Sequence, residues 1–204
     1  MIAIVDYSMG NVGSIQRMLK KVGADSMLTS CPERLRSADK LVLPGVGAFD
    51  AGMHHLRESG VKELLDELVL EQHKPLLGIC LGMQLLMDSS EEGTVSGLGW
   101  ISGRVKRFDW SENRKTFRIP HMGWNLVCPE NDSPLFRELD AQSRFYFVHS
   151  FFAVPQDDSS RAAATRYGFE FCSAVRKNHI HGVQFHPEKS HRYGLRLLQN
   201  FVEL

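Results

Sequence analysis

Apolar positions along the chain fall into short runs separated by helical stripes. Ile2–Val5 is a four-residue apolar run of the kind that forms a buried strand. Between Asn11 and Val22, residues Ile15, Met18, Leu19 and Val22 recur at i, i+3, i+4 and i+7. That spacing lays one apolar stripe along a helix. Gly23 follows where a helix C-cap needs a residue free to adopt positive φ. Leu41-Val42-Leu43 is a second buried-type run, stopped by Pro44-Gly45. Val61–Glu71 carries Leu64, Leu65 and Leu68 on one helical face. Leu76–Cys80 is a third apolar run, and it feeds a short helical pattern from Leu81 to Met87. Strands alternating with helices predict a parallel sheet covered by helices.

The second half has a different rhythm. Arg144–Val154 contains Phe145, Phe147 and Phe151, and Arg161–Tyr167, Phe169–Arg176 and Ile180–Phe185 follow at close spacing. Such runs predict antiparallel additions, so the sheet is expected to be mixed. Leu195, Leu198, Phe201 and Val202 place a closing helix in the last 14 residues. Residues 88–118 are polar and contain glycine, and irregular structure is expected there. No repeat, low-complexity segment or domain boundary interrupts residues 1–204, which are expected to form one domain. The fold class expected is α/β, a three-layer sandwich with a central mixed, mainly parallel sheet flanked by helices.

Composition narrows the classes. The chain has 204 residues, 43% of them hydrophobic and 24% charged, which excludes intrinsic disorder. Lys and Arg total 24 and so do Asp and Glu, so charge supplies no reason to expect nucleic acid or a membrane surface as partner. Net charge near zero favours association, as in one component of a complex. The longest apolar stretch, Pro75–Met87, is 13 residues and too short to span a bilayer. The N-terminus lacks the basic region of a secretory leader. Cys31, Cys80, Cys128 and Cys172 form no C-x-x-C pair. They read as reduced thiols of a soluble cytoplasmic protein. The nine histidines show no H-E-x-x-H pattern, and adjacent His54 and His55 would point about 100° apart on a helix. No metal site and no cofactor are expected.

Three segments carry candidate chemistry. Gly78-Ile79-Cys80-Leu81-Gly82 has the form G-x-C-x-G between a strand and a helix, the cysteine version of a nucleophile elbow. Glycines flank the turn because it leaves no room for Cβ atoms. The turn would expose the Cys80 sulfur at a helix N-terminus, where thiolate is favoured, with the Leu81 N–H placed for an oxyanion. A buried structural cysteine is the competing reading. In His186-Pro187-Glu188, proline biases His186 toward extended backbone, and residues i and i+2 then share a face. Glu188 could so orient His186 as a base, against the plainer reading of a surface His-Pro turn. Gly45-Val46-Gly47, directly after a strand, could turn a backbone N–H toward an anion or simply link strand to helix.

Five motifs in this order, P-G-V-G-A-F, G-I-C-L-G-M-Q-L-L, P-H-M-G-W-N, Y-F-V-H-S and Q-F-H-P-E-K-S, resemble the class I, triad-type glutamine amidotransferases. The likeness spans residues 2–202 and is narrowest to the glutaminase subunits of imidazole glycerol phosphate synthase, an enzyme of histidine biosynthesis. The resemblance implies L-glutamine as substrate and a flavodoxin-like sandwich. It implies a catalytic triad of Cys80, His186 and Glu188. It implies an oxyanion hole from Val46, Gly47 and Leu81, and glutamine-binding positions at Gly45, Gln84, His149, Ser150 and Phe151. It also implies a heterodimer with a (βα)₈-barrel cyclase that receives the ammonia. Asn11, Met122, Trp124, Tyr146 and Lys189 would face that partner, although core packing is the plainer role for Trp124 and solvation for Lys189.

Ser8 stands where many relatives have glycine, and the run Lys189-Ser190-His191-Arg192-Tyr193-Gly194 resembles a branch that supplies ammonia to amidino-sugar synthesis. Two further readings share the fold: a partner chain that is catalytically silent, and a free-standing thiol hydrolase. The complete set of triad residue types argues against the first, and the full motif set against the second.

Overall fold

The computed structural model describes residues 1–110, 117–130 and 132–204. Strand β1 (Ile2–Val5), helix α1 (Val12–Lys21), β2 (Ser26–Thr29), α2 (Pro32–Ser37), β3 (Lys40–Gly45), α3 (Phe49–Glu58), α4 (Val61–Asp66) and β4 (Leu76–Cys80) alternate as the sequence predicts. They are followed by α5 (Leu81–Gln84), β5 (Ser89–Ser90), β6 (Gly103–Arg107), β7 (His121–Leu126) and β8 (Cys128–Pro129). The chain closes with β9 (Arg144–His149), β10 (Phe151–Pro155), β11 (Arg161–Tyr167), β12 (Phe169–Lys177), β13 (Ile180–Val183) and α6 (His191–Glu203).

The main sheet runs β2-β1-β3-β4-β13-β12-β10-β6-β5, with β11 and β8 branching from β12. Strands β2, β1, β3, β4 and β13 pair in parallel, and β12, β10 and β6 add antiparallel. A separate antiparallel pair, β7 and β9, stands beside it. Strand alternation divides the core into two. Ala3, Val5, Leu41 and Leu43 pack with Leu35, Met53, Leu56 and Leu64 on one face. Ile2, Ile4, Val42 and Leu77 pack with Ile15, Leu19, Leu197 and Phe201 on the other. Both faces of the parallel strands are covered, which is why they read as continuous apolar runs. The strand order reverses beside β1 and β3, so their carboxyl ends open a crevice of the kind that holds ligands in such sheets.

Several expectations are corrected. The described part of 88–118 contains β5 and β6, not only irregular chain, and 111–116 lie outside the described residues. Only Val105 of β6 is buried, so a near-edge strand left no apolar alternation to read. Val61–Glu71 is helical as expected, α4 followed by a π-helical turn over Glu67–Glu71, whereas α5 ends at Gln84 rather than Met87. Arg144–Val154 is two strands in two sheets, broken at Ser150. Helix α3 was unread, although its buried Phe49, Met53 and Leu56 fall at helical spacing. The C-cap reading at Gly23 holds, with φ at +76° directly after α1 and its cap Val22.

Candidate active site

Strand β4 delivers Cys80 into a backbone conformation that L-residues rarely adopt, φ 55° and ψ −110°. The surroundings enforce it sterically. A Cβ on Gly82 would sit 1.9 Å from the Leu43 carbonyl oxygen, and one on Gly78 would sit 2.8 Å from the Gly82 oxygen. The chain can therefore turn here only with glycine on both sides. Helix α5, which starts at Leu81, is a single turn, so its dipole is weaker than that of a long helix. The Gln184 amide lies 3.8 Å from Cys80 Sγ and offers it a donor.

Residues 184–190 follow β13 and cross the same carboxyl edge. The His186 N–H donates to the Tyr146 carbonyl at 2.8 Å. Ser190 Oγ donates to the His186 carbonyl at 2.6 Å and accepts from the Tyr146 N–H at 3.0 Å. This frame leaves the imidazole free to meet Glu188. His186 Nδ1 and Glu188 Oε1 are 2.8 Å apart, and both side chains are 2% exposed. A carboxylate only accepts, so Nδ1 carries the proton. His186 itself is extended, φ −103° and ψ 95°, as the proline predicts, but Pro187–Lys189 form a 3₁₀ turn, so the contact with Glu188 does not run along extended backbone throughout. Burial opposes a charge on His186. Hydrogen bonding to Glu188 and the negative charges of Cys80 and Glu188 outweigh it, and the imidazole is raised to about 9. Its Nε2 has no hydrogen-bond partner among the described residues.

A cavity of about 330 Å³ joins these parts, lined by Val46, Gly47, Cys80, Leu81, Gln84, His149, Ser150, Phe151 and His186 among others. Nearly all the predicted site residues therefore meet. Gly45 does not line the cavity. It is buried beneath the elbow, where a Cβ would lie 2.8 Å from both Gly82 N and the Tyr7 hydroxyl. Gln84 Nε2 donates to the Phe151 carbonyl at 3.1 Å and to Gln184 Oε1 at 3.0 Å. Both amide hydrogens are thereby committed, and Gln84 retains its oxygen for a ligand.

Sequence reasoning missed three residues. Glu92 supplies a carboxylate to the cavity wall and accepts from the Phe49 N–H at 2.9 Å. Its polar surroundings gave no motif to find. Gln184 lies inside the H-P-E segment already singled out, and its burial beside Cys80 was the overlooked signal. His121, in the P-H-M-G-W-N motif, lies behind the wall against His149.

Of the five residues assigned to a partner, Trp124, Tyr146 and Lys189 cluster, and Met122 shares β7 with Trp124. Met122 and Trp124 on β7 are 61% and 47% exposed, so Trp124 is not core. Trp124 stacks on His191 at 5.4 Å and meets Tyr146 edge-on at 6.1 Å. Lys189 Nζ sits 5.6 Å from the Tyr146 ring centroid. Asn11 is exposed at the start of α1, which packs against the 187–189 turn.

The remaining cysteines contrast with Cys80. Cys172 is buried without a cationic neighbour strong enough to offset desolvation, and its thiol is pushed up to about 12. All four cysteines are free. Among the described residues, no group of three His, Cys, Asp or Glu could hold a metal, and no helix is long and apolar enough to cross a membrane.

A strained cysteine and a carboxylate-bound histidine facing one crevice of a doubly wound sheet define a thiol-dependent acyl-transfer enzyme. The chain belongs to the glutamine amidotransferase class-I family, which matches residues 3–204. It is 50% identical over 203 residues to imidazole glycerol phosphate synthase subunit HisH 2 of Methanococcus maripaludis, covering 100% of this chain and 99% of that protein. It is 48% identical to subunit HisH 2 of Pseudomonas aeruginosa over the full length of both. Among solved structures, PurLQS from Thermotoga maritima shares the fold at TM-score 0.71 and 18% identity. The alignment covers 99% of this chain and 97% of that one.

Proposed function

We propose that the chain is the glutaminase subunit of an imidazole glycerol phosphate synthase, residues 1–204 acting as one amidotransferase domain in the cytoplasm. Cys80 Sγ, its thiol proton already held on His186 Nε2, attacks the side-chain amide carbon of L-glutamine. Charge develops on the amide oxygen and is met by backbone N–H groups of Leu81 and of the Val46–Gly47 turn. His186 returns the proton to the nitrogen as the C–N bond breaks, and ammonia leaves. Water then attacks the thioester, with His186 as base, and glutamate departs. Glu188 holds the imidazole in the Nδ1–H tautomer and stabilises its cation. Glu92 and the free Gln84 oxygen receive the α-ammonium of the substrate, and main chain at His149–Phe151 receives its other end.

Ammonia released to water is protonated and loses its nucleophilicity, so the site is useful only beside an acceptor. The partner is a cyclase of (βα)₈-barrel type. It docks over Asn11, Met122, Trp124, Tyr146 and Lys189 and makes imidazole glycerol phosphate and an aminoimidazole carboxamide ribonucleotide. The carrying observation is the 2.8 Å His186–Glu188 contact in the cavity of Cys80. The test is glutamate release by the chain alone and with a matched cyclase plus its nucleotide substrate. Strong activation supports the assignment, and full activity indifferent to any partner defeats the coupled-subunit reading.

His191 favours a second reading. It belongs to the run shared with the amidino-sugar branch and stacks on Trp124 at the partner surface. Activation by a sugar-pathway synthase alone would move the acceptor and leave the glutaminase chemistry unchanged.

A further inference from the structure

Behind the cavity wall lies a chain of hydrogen bonds whose proton positions follow from its donors and acceptors. His149 Nδ1 is 2.8 Å from the Phe151 carbonyl, which can only accept, so Nδ1 carries the proton. Burial holds His149 down to about 3 and His121 down to about 4, so both rings are neutral at pH 7. Neutral His149 therefore presents a lone pair at Nε2, which lies 2.9 Å from His121 Nδ1. His121 must donate from Nδ1, and its Nε2 becomes an acceptor 3.2 Å from Asn125 Nδ2. The amide orientation of Asn125 is fixed independently. Its Oδ1 accepts from the Leu126 N–H at 2.8 Å, and its Nδ2 donates to the Arg166 carbonyl at 3.0 Å.

The far end of this chain is substrate wall. Phe151 O receives both His149 and Gln84, and Ser150 between them is where the polypeptide passes from β9 to β10. Ser150 belongs to neither strand. Its carbonyl accepts from the Phe108 N–H at 3.1 Å, and side chains hold the rest of the junction. We infer that His121 is a positioning residue for glutamine binding: held by Asn125, it donates to His149 and so pins the His149–Phe151 turn against Gln84. The inference rests on the glutaminase reading above. The opposite face of β7 carries exposed Met122 and Trp124, so one strand serves both surfaces.

A plainer role competes. His121 stacks on Phe147 at 4.7 Å and on Tyr167 at 4.0 Å and could be aromatic filling alone. Long-range proton–nitrogen spectra of the histidine-labelled full chain at pH 7 decide the hydrogen bonds without any mutation. Both rings are expected as neutral Nδ1–H tautomers, and an Nε2–H tautomer at either ring overturns the inference. His121→Phe keeps the stacking and removes the donor. With the partner present it should raise the glutamine KM about tenfold while kcat stays within about twofold. An unchanged KM in a folded variant would make His121 filling. Asn125→Asp, which withdraws the donor to His121 from a half-buried position, should raise KM in the same direction and serves if His121→Phe does not fold. A wild-type chain with both tautomers in place and no glutaminase activity would sink the functional reading and confirm the hydrogen-bond chain.

Discussion

The wall of the cavity that carries Cys80 is built from backbone, and the wall that carries His186 is built from side chains. On the first, β3 and β4 end in turns where Gly78 and Gly82 leave no space for a Cβ. Steric exclusion alone drives Cys80 to φ 55°. On the second, β7, β9 and the 187–189 turn hold His121, His149 and His186 by directed hydrogen bonds in a buried aromatic setting. The geometry of Cys80 therefore depends on volume, and that of His186 depends on polarity and protonation. The two walls should fail in different ways.

The largest effect should come from the thiol itself. Cys80→Ala should lower glutamine-dependent turnover by about 10⁵-fold or more, with synthesis from ammonium salts preserved in the complex. Loss of both activities would return Cys80 to a structural role. On the other wall, Glu188→Gln keeps the shape and removes the charge. A kcat loss of about 10³-fold is expected, with a loss of thermal stability at neutral pH because the buried imidazolium loses its counter-charge. If kcat held, Glu188 would not be the group that orients His186.

Volume is tested by alanine at two glycines. Gly82→Ala forces a Cβ to within 1.9 Å of a carbonyl oxygen and should cost about 3 kcal/mol or more of unfolding free energy. Gly13→Ala, in open space on α1, should instead stabilise by about 0.5–1 kcal/mol. Similar values for the two would remove the steric account of the elbow.

Protonation separates the walls by sign. His121 and His149 are held near 4 and 3, so between those values and about pH 6.5 the unfolded chain binds more protons than the folded one. Their contribution is complete above pH 6.5 and is lost as pH falls toward 3. His186 is raised to about 9, so its contribution is complete below pH 6.5 and is lost as pH rises through 9. Thermal unfolding across pH 3–10 should show an acid limb that flattens in His121→Phe and an alkaline limb that flattens in His186→Asn. Limbs that ignore both substitutions would break the comparison.

The smallest change is expected at the surface. Trp124→Ala should weaken binding of the partner subunit about tenfold or more and leave the melting temperature unchanged, since the ring is 47% exposed. A large loss of stability would place Trp124 in the core after all.

Legibility followed burial. The strands β1, β3 and β4 are buried on both faces, so their apolar runs stood out directly from the sequence. Helix α1 showed its stripe through Ile15, Met18 and Leu19, all buried as expected. The elbow was legible because a steric rule demands glycine at two positions around one cysteine. The near-edge strand β6 and the carboxylate Glu92 were not, because polar surroundings give neither periodicity nor a fixed spacing. Gln184 and His121 were hidden for another reason. Each lay inside a recognised motif, but its partners are distant in the chain, Cys80 and Gln84 for one and His149 for the other.

The sequence by itself determined the α/β class, the parallel half of the sheet, the glycine-flanked turn at Cys80 and the adjacency of His186 to Glu188. All of these rest on local rules, namely periodicity, turn sterics and two-residue spacing. Only the tertiary structure decided that β9 and β10 part company at Ser150, that Gly45 lies beneath the cavity and not in its lining, and that His121 packs against His149 behind that lining. Those features arise where strands distant in the chain meet, and hydrogen bonds between neutral buried side chains are settled by three-dimensional proximity, for which the order of residues carries no period.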